Sequence, residues 1–201
     1  KRKLKEDGSV AHYKARLVAQ GFSWVEGKDF FETSAPVSSM STLRTVFRLA
    51  AEDDFELEGI YVDEAYLNAP VEEELFVKLP HEFSPFSPNI PFVRHLRKRL
   101  YGLNQSGRNW NSTLDDFLTD ILVAVYIDDL VIAGRHEKVD EFKHDISRRF
   151  RMQDLSSLSH VLGIEVRHDR PNDPTSVSQR GYIREVLKRC GFDECRGVPT
   201  P

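Results

Sequence analysis

The chain has 201 residues, with 28 Lys and Arg against 32 Asp and Glu for a net charge of −4, and is 40% hydrophobic and 30% charged, a composition typical of globular proteins. Its length allows one large domain or one and a half and argues against a tandem array. The longest apolar run, Ile121 to Ile127, falls far short of the ~20 residues that cross a bilayer, so no membrane span is expected.

The opening KRKLKEDGSV is basic and lacks the apolar core of a signal peptide; with Lys1 in place of a start methionine, the sequence reads as an intracellular piece of something longer. Tyr13 to Phe22 alternates Lys14 and Arg16 with Ala15 and Leu17, which predicts a half-buried strand carrying two cations on one face and ending at Gly21. Ser39 or Ser41 can cap a helix with Leu43, Val46, Phe47 and Ala50 at three-to-four spacing, running to about Asp53. Phe55, Leu57 and Ile60 to Val62 predict a strand, and Leu75 to Leu79 another, before a proline-rich loop from Pro80 to Pro91 and basic strand-like residues to about Tyr101. From Asn109, Trp110, Leu114, Phe117 and Leu118 share a helical face, ending near Asp120. That helix runs into the β-favouring Ile121 to Ile127 with no turn residues between, which is anomalous for a helix-to-strand connection. A hairpin from Ile121 to Gly134 follows, then a helix through Val139, Phe142, Ile146 and Phe150, a strand from Val161 to Val166, a turn-rich loop from Arg170 to Pro174, and a closing helix with Tyr182, Val186 and Leu187. Mixed elements without regular βαβ alternation indicate an α+β fold. Cys190 and Cys195, without metal-type partners at useful spacing, read as free thiols.

The mean charge conceals segregation. Lys1 to Arg16 carries six basic and two acidic residues, Arg94 to Arg108 five basic and none acidic, and Glu52 to Glu74 ten acidic and no Lys or Arg. Such blocks are either solvated faces or a phosphate-binding surface around a cation site. The sharpest local feature is Val125-Tyr126-Ile127-Asp128-Asp129-Leu130-Val131, two aspartates between apolar β-formers. Asp suits a plain hairpin turn, but adjacent carboxylates repel unless screened, and hard cations such as Mg²⁺ take oxygen ligands of this kind.

Tyr126-Ile127-Asp128-Asp129 resembles the Tyr-x-Asp-Asp box of reverse transcriptases, and the flanking sequence resembles their copia-type LTR-retrotransposon branch. Lys14-Ala15-Arg16-Leu17-Val18-Ala19-Gln20-Gly21-Phe22 is similar to that family's opening motif, and Phe31-Glu32-Thr33, Ala35-Pro36-Val37 and Thr42-Leu43-Arg44 to the next. Ala65-Tyr66-Leu67-Asn68, Leu100-Tyr101-Gly102-Leu103 with Gln105, Leu162-Gly163-Ile164, and Ser178-Gln179 with Tyr182 follow in the family's order, so the resemblance covers nearly all of residues 11 to 201. It implies a right-hand polymerase forming one domain over 1–201, with 1–60 and 75–110 mostly fingers, 61–74 and 111–166 palm, and 167–201 the start of a thumb. Its implied partners are an RNA or DNA template, a DNA primer, dNTP and the rest of a Pol polyprotein, in a cytoplasmic virus-like particle or the nucleus. Its implied chemistry is in-line attack of a primer 3′ oxygen on the α-phosphate, with two Mg²⁺ ions about 4 Å apart. By motif position, Asp128 and Asp129 are the catalytic metal ligands. The resemblance implies that Lys14, Arg16, Gln105, Gly107 and Tyr126 face the nucleotide, and the basic stretch predicts that Arg94, Arg97, Lys98 and Arg99 meet the nucleic acid.

Two departures stand out. The family's first catalytic aspartate falls on Tyr61, and Asp63, the nearest carboxylate and the remaining candidate metal ligand, is about 6.6–7 Å further along a strand, so it needs a register shift to substitute. A few tens of residues that the family has before its Tyr-x-Asp-Asp strand are absent between Asp120 and Ile121, which accounts for the missing turn and predicts an incomplete palm with an unpaired edge. With no ribonuclease H or integrase portion, the chain reads as a truncated or decayed copy: a reverse transcriptase domain that is catalytically impaired, or a remnant that at most binds primer-template. An unrelated metal-dependent phosphohydrolase using Asp128 and Asp129 is the alternative from another class.

Overall fold

In the computed structural model the described residues are 2–4, 9–21, 24–25, 27, 30, 37–71, 73–80, 83, 93–118, 120–168, 175–192 and 194–195. They form two units, Lys1–Pro36 with Glu64–Leu114 and Val37–Asp63 with Asp115–Pro201. In chain order the elements are β1 (Arg2–Leu4), β2 (Val10–Tyr13), α1 (Met40–Glu52), β3 (Glu56–Val62), α2 (Ala65–Asn68), β4 (Phe76–Lys78), β5 (Val93–His95) and α3 (Ser106–Asp115). After these come β6 (Leu122–Tyr126), β7 (Asp129–Gly134), α4 (His136–Arg149), β8 (Met152–Ser157), β9 (His160–Val161), β10 (Ile164–Arg167), β11 (Ser176–Ser178) and α5 (Arg180–Arg189). The chain is mixed α and β, with every strand ladder antiparallel.

The second unit is built on a four-stranded sheet in the order β6-β7-β3-β8. Side chains alternate between the faces of a strand, and both faces of the middle strands are apolar. Leu57, Ala124, Val131 and Ala133 share a core with Leu43, Val46, Phe47 and Ala50 of α1 and with Leu158, Val161, Ile164 and Val166. Residues of the opposite parity, Ile60, Val62, Leu130 and Ile132, are buried as well; α4, which packs on β7, buries Val139, Phe142 and Ile146. As the sequence predicts, Ser39 caps α1, its hydroxyl accepting from the Thr42 N–H at 3.1 Å. Such a cap is worth about 1 kcal/mol.

The structure corrects several boundaries. The strand expected over Tyr13 to Phe22 is instead Val10–Tyr13, paired with β1 from Leu4 opposite Val10 to Arg2 opposite Tyr13. Leu17 and Val18 are about half exposed, and Val18 makes only an isolated parallel bridge to Tyr101. The basic strand before Tyr101 shrinks to β5. Helix α3 starts at Ser106, whose hydroxyl donates to the Leu100 carbonyl at 2.7 Å, and it stops at Asp115 rather than near Asp120. The turn before β6 is thus made from the expected last turn of the helix, with Asp120 in the left-handed region at φ 50°. The strand expected from Val161 to Val166 is broken into β9 and β10 by Leu162 and Gly163, both at positive φ (49° and 77°), the backbone of a two-residue type I′ hairpin. The Pro80 to Pro91 loop and the Arg170 to Pro174 turn lie almost wholly outside the described residues, as do Phe31-Glu32-Thr33 and Ala35-Pro36.

In the first unit the motifs around Gly21 and Gly102 are locked together. The Ala19 N–H donates to the Tyr101 carbonyl at 2.8 Å, and a methyl on Gly102, at φ +89°, would overlap the Ala19 carbonyl oxygen and lie 2.6 Å from Val18 Cγ1. Gly102→Ala combines a disfavoured backbone region with a backbone overlap and is expected to cost about 2–4 kcal/mol, read as a lower urea midpoint with unchanged slope.

Candidate functional site

β6 and β7 are joined by a two-residue turn, Ile127-Asp128, between the paired Tyr126 and Asp129. Ile127 sits at φ 56°, a region a β-branched residue adopts only under strain. The Val62 N–H donates to the Asp128 carbonyl at 2.8 Å, fastening the turn to the end of β3. Register then fixes the neighbours: Tyr126 pairs with Asp129, Asp129 with Tyr61, and Tyr61 with Gln153 on β8. Directly paired side chains share a face, so these four line one polar strip at the end of the apolar face covered by α1. Burial, and then the charge of Asp128, push the Asp129 carboxyl above the ordinary aspartate value, the response of a carboxylate with too few cations near it.

Asp63 is outside the paired ladder and touches this strip only at its Gln153 end. It lies just past the last residue of β3, its N–H donating to the Arg151 carbonyl at 2.9 Å. Its carboxylate takes the Arg151 guanidinium at 3.0 Å and the Gln153 amide at 3.5 Å. Among the described residues no three of His, Cys, Asp and Glu come together to hold a metal ion. Asp128 and Asp129 are present, but the position across from Asp129 holds a phenol and the third carboxylate is engaged elsewhere, so the residues do not fit a two-Mg²⁺ set. Nothing in the sequence marked Arg151 as the partner of Asp63; the contact depends on the β3–β8 register.

Of the cations in the first unit, Lys14, Arg16, Arg94, Arg97, Lys98 and Arg108 are exposed. Arg99, expected at the nucleic-acid surface, is instead fully buried: its guanidinium donates to the Pro70 carbonyl (3.3 Å), Gln105 Oε1 (3.2 Å) and Glu73 Oε2 (2.5 Å). Gln105, expected to face the nucleotide, is buried with it. A guanidinium surrounded by three acceptors is a structural tie, and a basic run in sequence carries no sign of which member turns inward. Gly107 lies in the first turn of α3, half-buried. Tyr126 is 37% exposed, so it is not plain core. The guanidinium of Arg16 lies 4.0 Å above the ring of Tyr101, whose other neighbour is Tyr66 with ring centroids 4.8 Å apart. Among the described residues no helix is long and apolar enough to cross a membrane.

A family model described as reverse transcriptase (RNA-dependent DNA polymerase) matches residues 1–122 and 119–201. The two stretches overlap over residues 119–122, in the α3–β6 connection and the start of β6. The chain is 33% identical to the retrovirus-related Pol polyprotein from transposon TNT 1-94 of Nicotiana tabacum, over 99% of this chain and 17% of that protein. It is 31% identical to the corresponding polyprotein from transposon RE1 of Arabidopsis thaliana, over all of this chain and 15% of that one. That alignment runs over 227 residues against the 201 here, so RE1 carries residues with no counterpart in this chain. A transposon Ty5-1 protein of Saccharomyces cerevisiae is 26% identical over 70% of this chain and 52% of its own length. The chain spans about one sixth of the length of the two plant relatives. With both halves matched, the chain belongs to the reverse transcriptase (RNA-dependent DNA polymerase) family, in the copia-type branch of retrotransposon Pol polyproteins.

Proposed function

We propose that this domain binds primer-template and nucleotide while its polymerase chemistry is impaired. In this reading the unit holding the carboxylate hairpin is the palm with, from 167 to 201, the start of a thumb, and the other unit is the fingers, to which residues 64–74 and 111–114, assigned to the palm from sequence, then go. Residues 37–60, assigned to the fingers from sequence, go with the palm because α1 and β3 contribute to the core beneath the hairpin. The substrates are an RNA or DNA template, a DNA primer and dNTP, with Mg²⁺ as the ion the family generally uses. Asp128 and Asp129 are the catalytic carboxylates.

The observation that carries the impairment is the pairing of Tyr61 with Asp129. A phenol, ordinarily titrating near pH 10, is neutral at pH 7 and a poor ligand for a hard cation. Binding depends on a different set of groups, several exposed cations whose phosphate contacts are individually dispensable. The phosphohydrolase alternative accounts for none of the family match.

Binding is tested by fluorescence anisotropy on an RNA–DNA duplex across a salt series. With about three to five phosphates neutralised, log K should fall against log salt with a slope near −3 to −4.5. Replacing Arg94, Arg97 and Lys98 with Ala should flatten that slope, whereas Asp128→Asn with Asp129→Asn should not weaken binding, since it removes negative charge. Absence of binding at low salt, in a sample folded by circular dichroism, overturns the reading.

A further inference from the structure

We infer that Tyr101 is a positioning residue, its ring face presetting the Arg16 guanidinium to receive a polyphosphate; this rests on the proposal that Arg16 contacts the nucleotide. Arg16 lies outside any strand, in an exposed stretch with no ladder to hold it. An unsupported Arg at such a place loses side-chain entropy when it meets an anion, and this opposes binding. Here the guanidinium carbon lies 4.0 Å from the centre of the Tyr101 ring, well within cation–π range, so the ring face holds the cation in place before an anion arrives.

The ring is itself fixed. Tyr101 is 8% exposed, and its carbonyl accepts from the Ala19 N–H at 2.8 Å, three residues beyond Arg16. The next residue, Gly102, leaves no room for a side chain against Ala19. Tyr66 closes on Tyr101 at a ring-centroid distance of 4.8 Å. The backbone lock between 18–21 and 101–102 therefore sets the height of Arg16 over the ring, and links two motifs about eighty residues apart in the sequence. Lys14, two residues earlier, is exposed as well, so the preset Arg16 is flanked by a second cation for a multiply charged ligand.

The test uses the full chain and mant-dGTP as probe, titrated by fluorescence with tripolyphosphate as competitor, in EDTA so that no divalent ion contributes. Position 101 is replaced by Phe and then by mono-, di- and trifluorophenylalanine, which keep ring size while draining the negative face of the ring. Affinity should hold with Tyr101→Phe and fall stepwise along the fluorinated series, about tenfold at trifluorophenylalanine, with unchanged thermal midpoints. In an Arg16→Ala background the series should be flat. A series that is flat with Arg16 intact, while Arg16→Ala still weakens binding, overturns the positioning role alone. An Arg16→Ala chain that binds mant-dGTP like the parent overturns both this role and the nucleotide contact on which it rests.

Discussion

Incubated with primed poly(rA), dTTP and Mg²⁺, the purified chain will show no primer extension above background. The hairpin holds Asp128 in its turn and Asp129 at the start of β7, but Tyr61 stands across from Asp129, and Asp63 is past the end of β3 with its carboxylate on Arg151. A metal ion stabilises transition-state charge by several kcal/mol, and each 1.4 kcal/mol lost costs tenfold in rate, so losing an ion's ligand set should lower extension by about a thousandfold or more. Tyr61→Asp alone is not expected to restore it, if, as we propose, a segment the family carries before the Tyr-x-Asp-Asp strand is also missing here. Restoring both should do better than either. Robust extension by the unaltered chain, abolished by Asp128→Asn, would refute the prediction and identify Asp63 as a working ligand after a register shift.

A large loss of stability, comparable with that of Gly102→Ala, is expected from Lys143→Ala. Lys143 of α4 forms ion pairs with Glu58 in the central strand β3 and, at 2.9 Å, with Asp154 of β8, and the Lys143 and Glu58 side chains are only 13% and 14% exposed. Removing the ammonium leaves the Glu58 carboxylate in the sheet without its counter-charge. Breaking a buried pair in this way costs about 3–5 kcal/mol; with both groups slightly exposed, about 2–4 kcal/mol should appear in denaturant unfolding. Replacing the pair together, Lys143→Met with Glu58→Leu, should recover most of that, because no charge is then stranded.

The same network makes the stability of the fold depend on pH. Burial opposes both charged forms, but their mutual hydrogen bonds win, holding the Lys143 pKa above the ordinary lysine value and the Asp154 carboxyl below the ordinary aspartate value. The Asp154 contribution is therefore complete above its unfolded pKa and is lost as pH falls through the lower folded value; the Lys143 contribution is complete below its unfolded pKa and is lost as pH rises through the higher folded one. In Lys143→Ala the acid-side dependence should flatten.

Elements with an apolar period were legible in the sequence. Leu43, Val46, Phe47 and Ala50 announced α1, and Val139, Phe142 and Ile146 announced α4, because each buries one stripe on the sheet. β8 was not legible: Met152–Ser157 is polar and mostly exposed at the sheet edge, so nothing in its composition alternates, and it forms because β3 presents a free ladder. Leu162-Gly163 could have been read as a turn from its glycine, but the apolar residues on either side masked it. At the site, identities were readable by motif, and the position of Tyr61 was found by counting. What the sequence could not carry was partnership across register: that Arg151 meets Asp63, that Arg99 turns inward to Glu73 and Gln105, and that Tyr101 lies beneath Arg16.

The interleaving of the two units bears on synthesis. β3 is complete at Val62, but its partners begin only at Asp129 and Met152, with the whole second stretch of the other unit, 64–114, between them. At about 5–20 residues per second, a ribosome takes about 3 to 13 s to pass from Val62 to Asp129. The same delay separates the emergence of Val62 from that of Asp129, so for that time Leu57, Ile60 and Val62 are outside the ribosome without the strands that cover them, and neither unit can close in order from its N-terminus. Nascent chains of this domain therefore present an unpaired apolar strand to their surroundings, a target for holding chaperones and, at high expression, for one another.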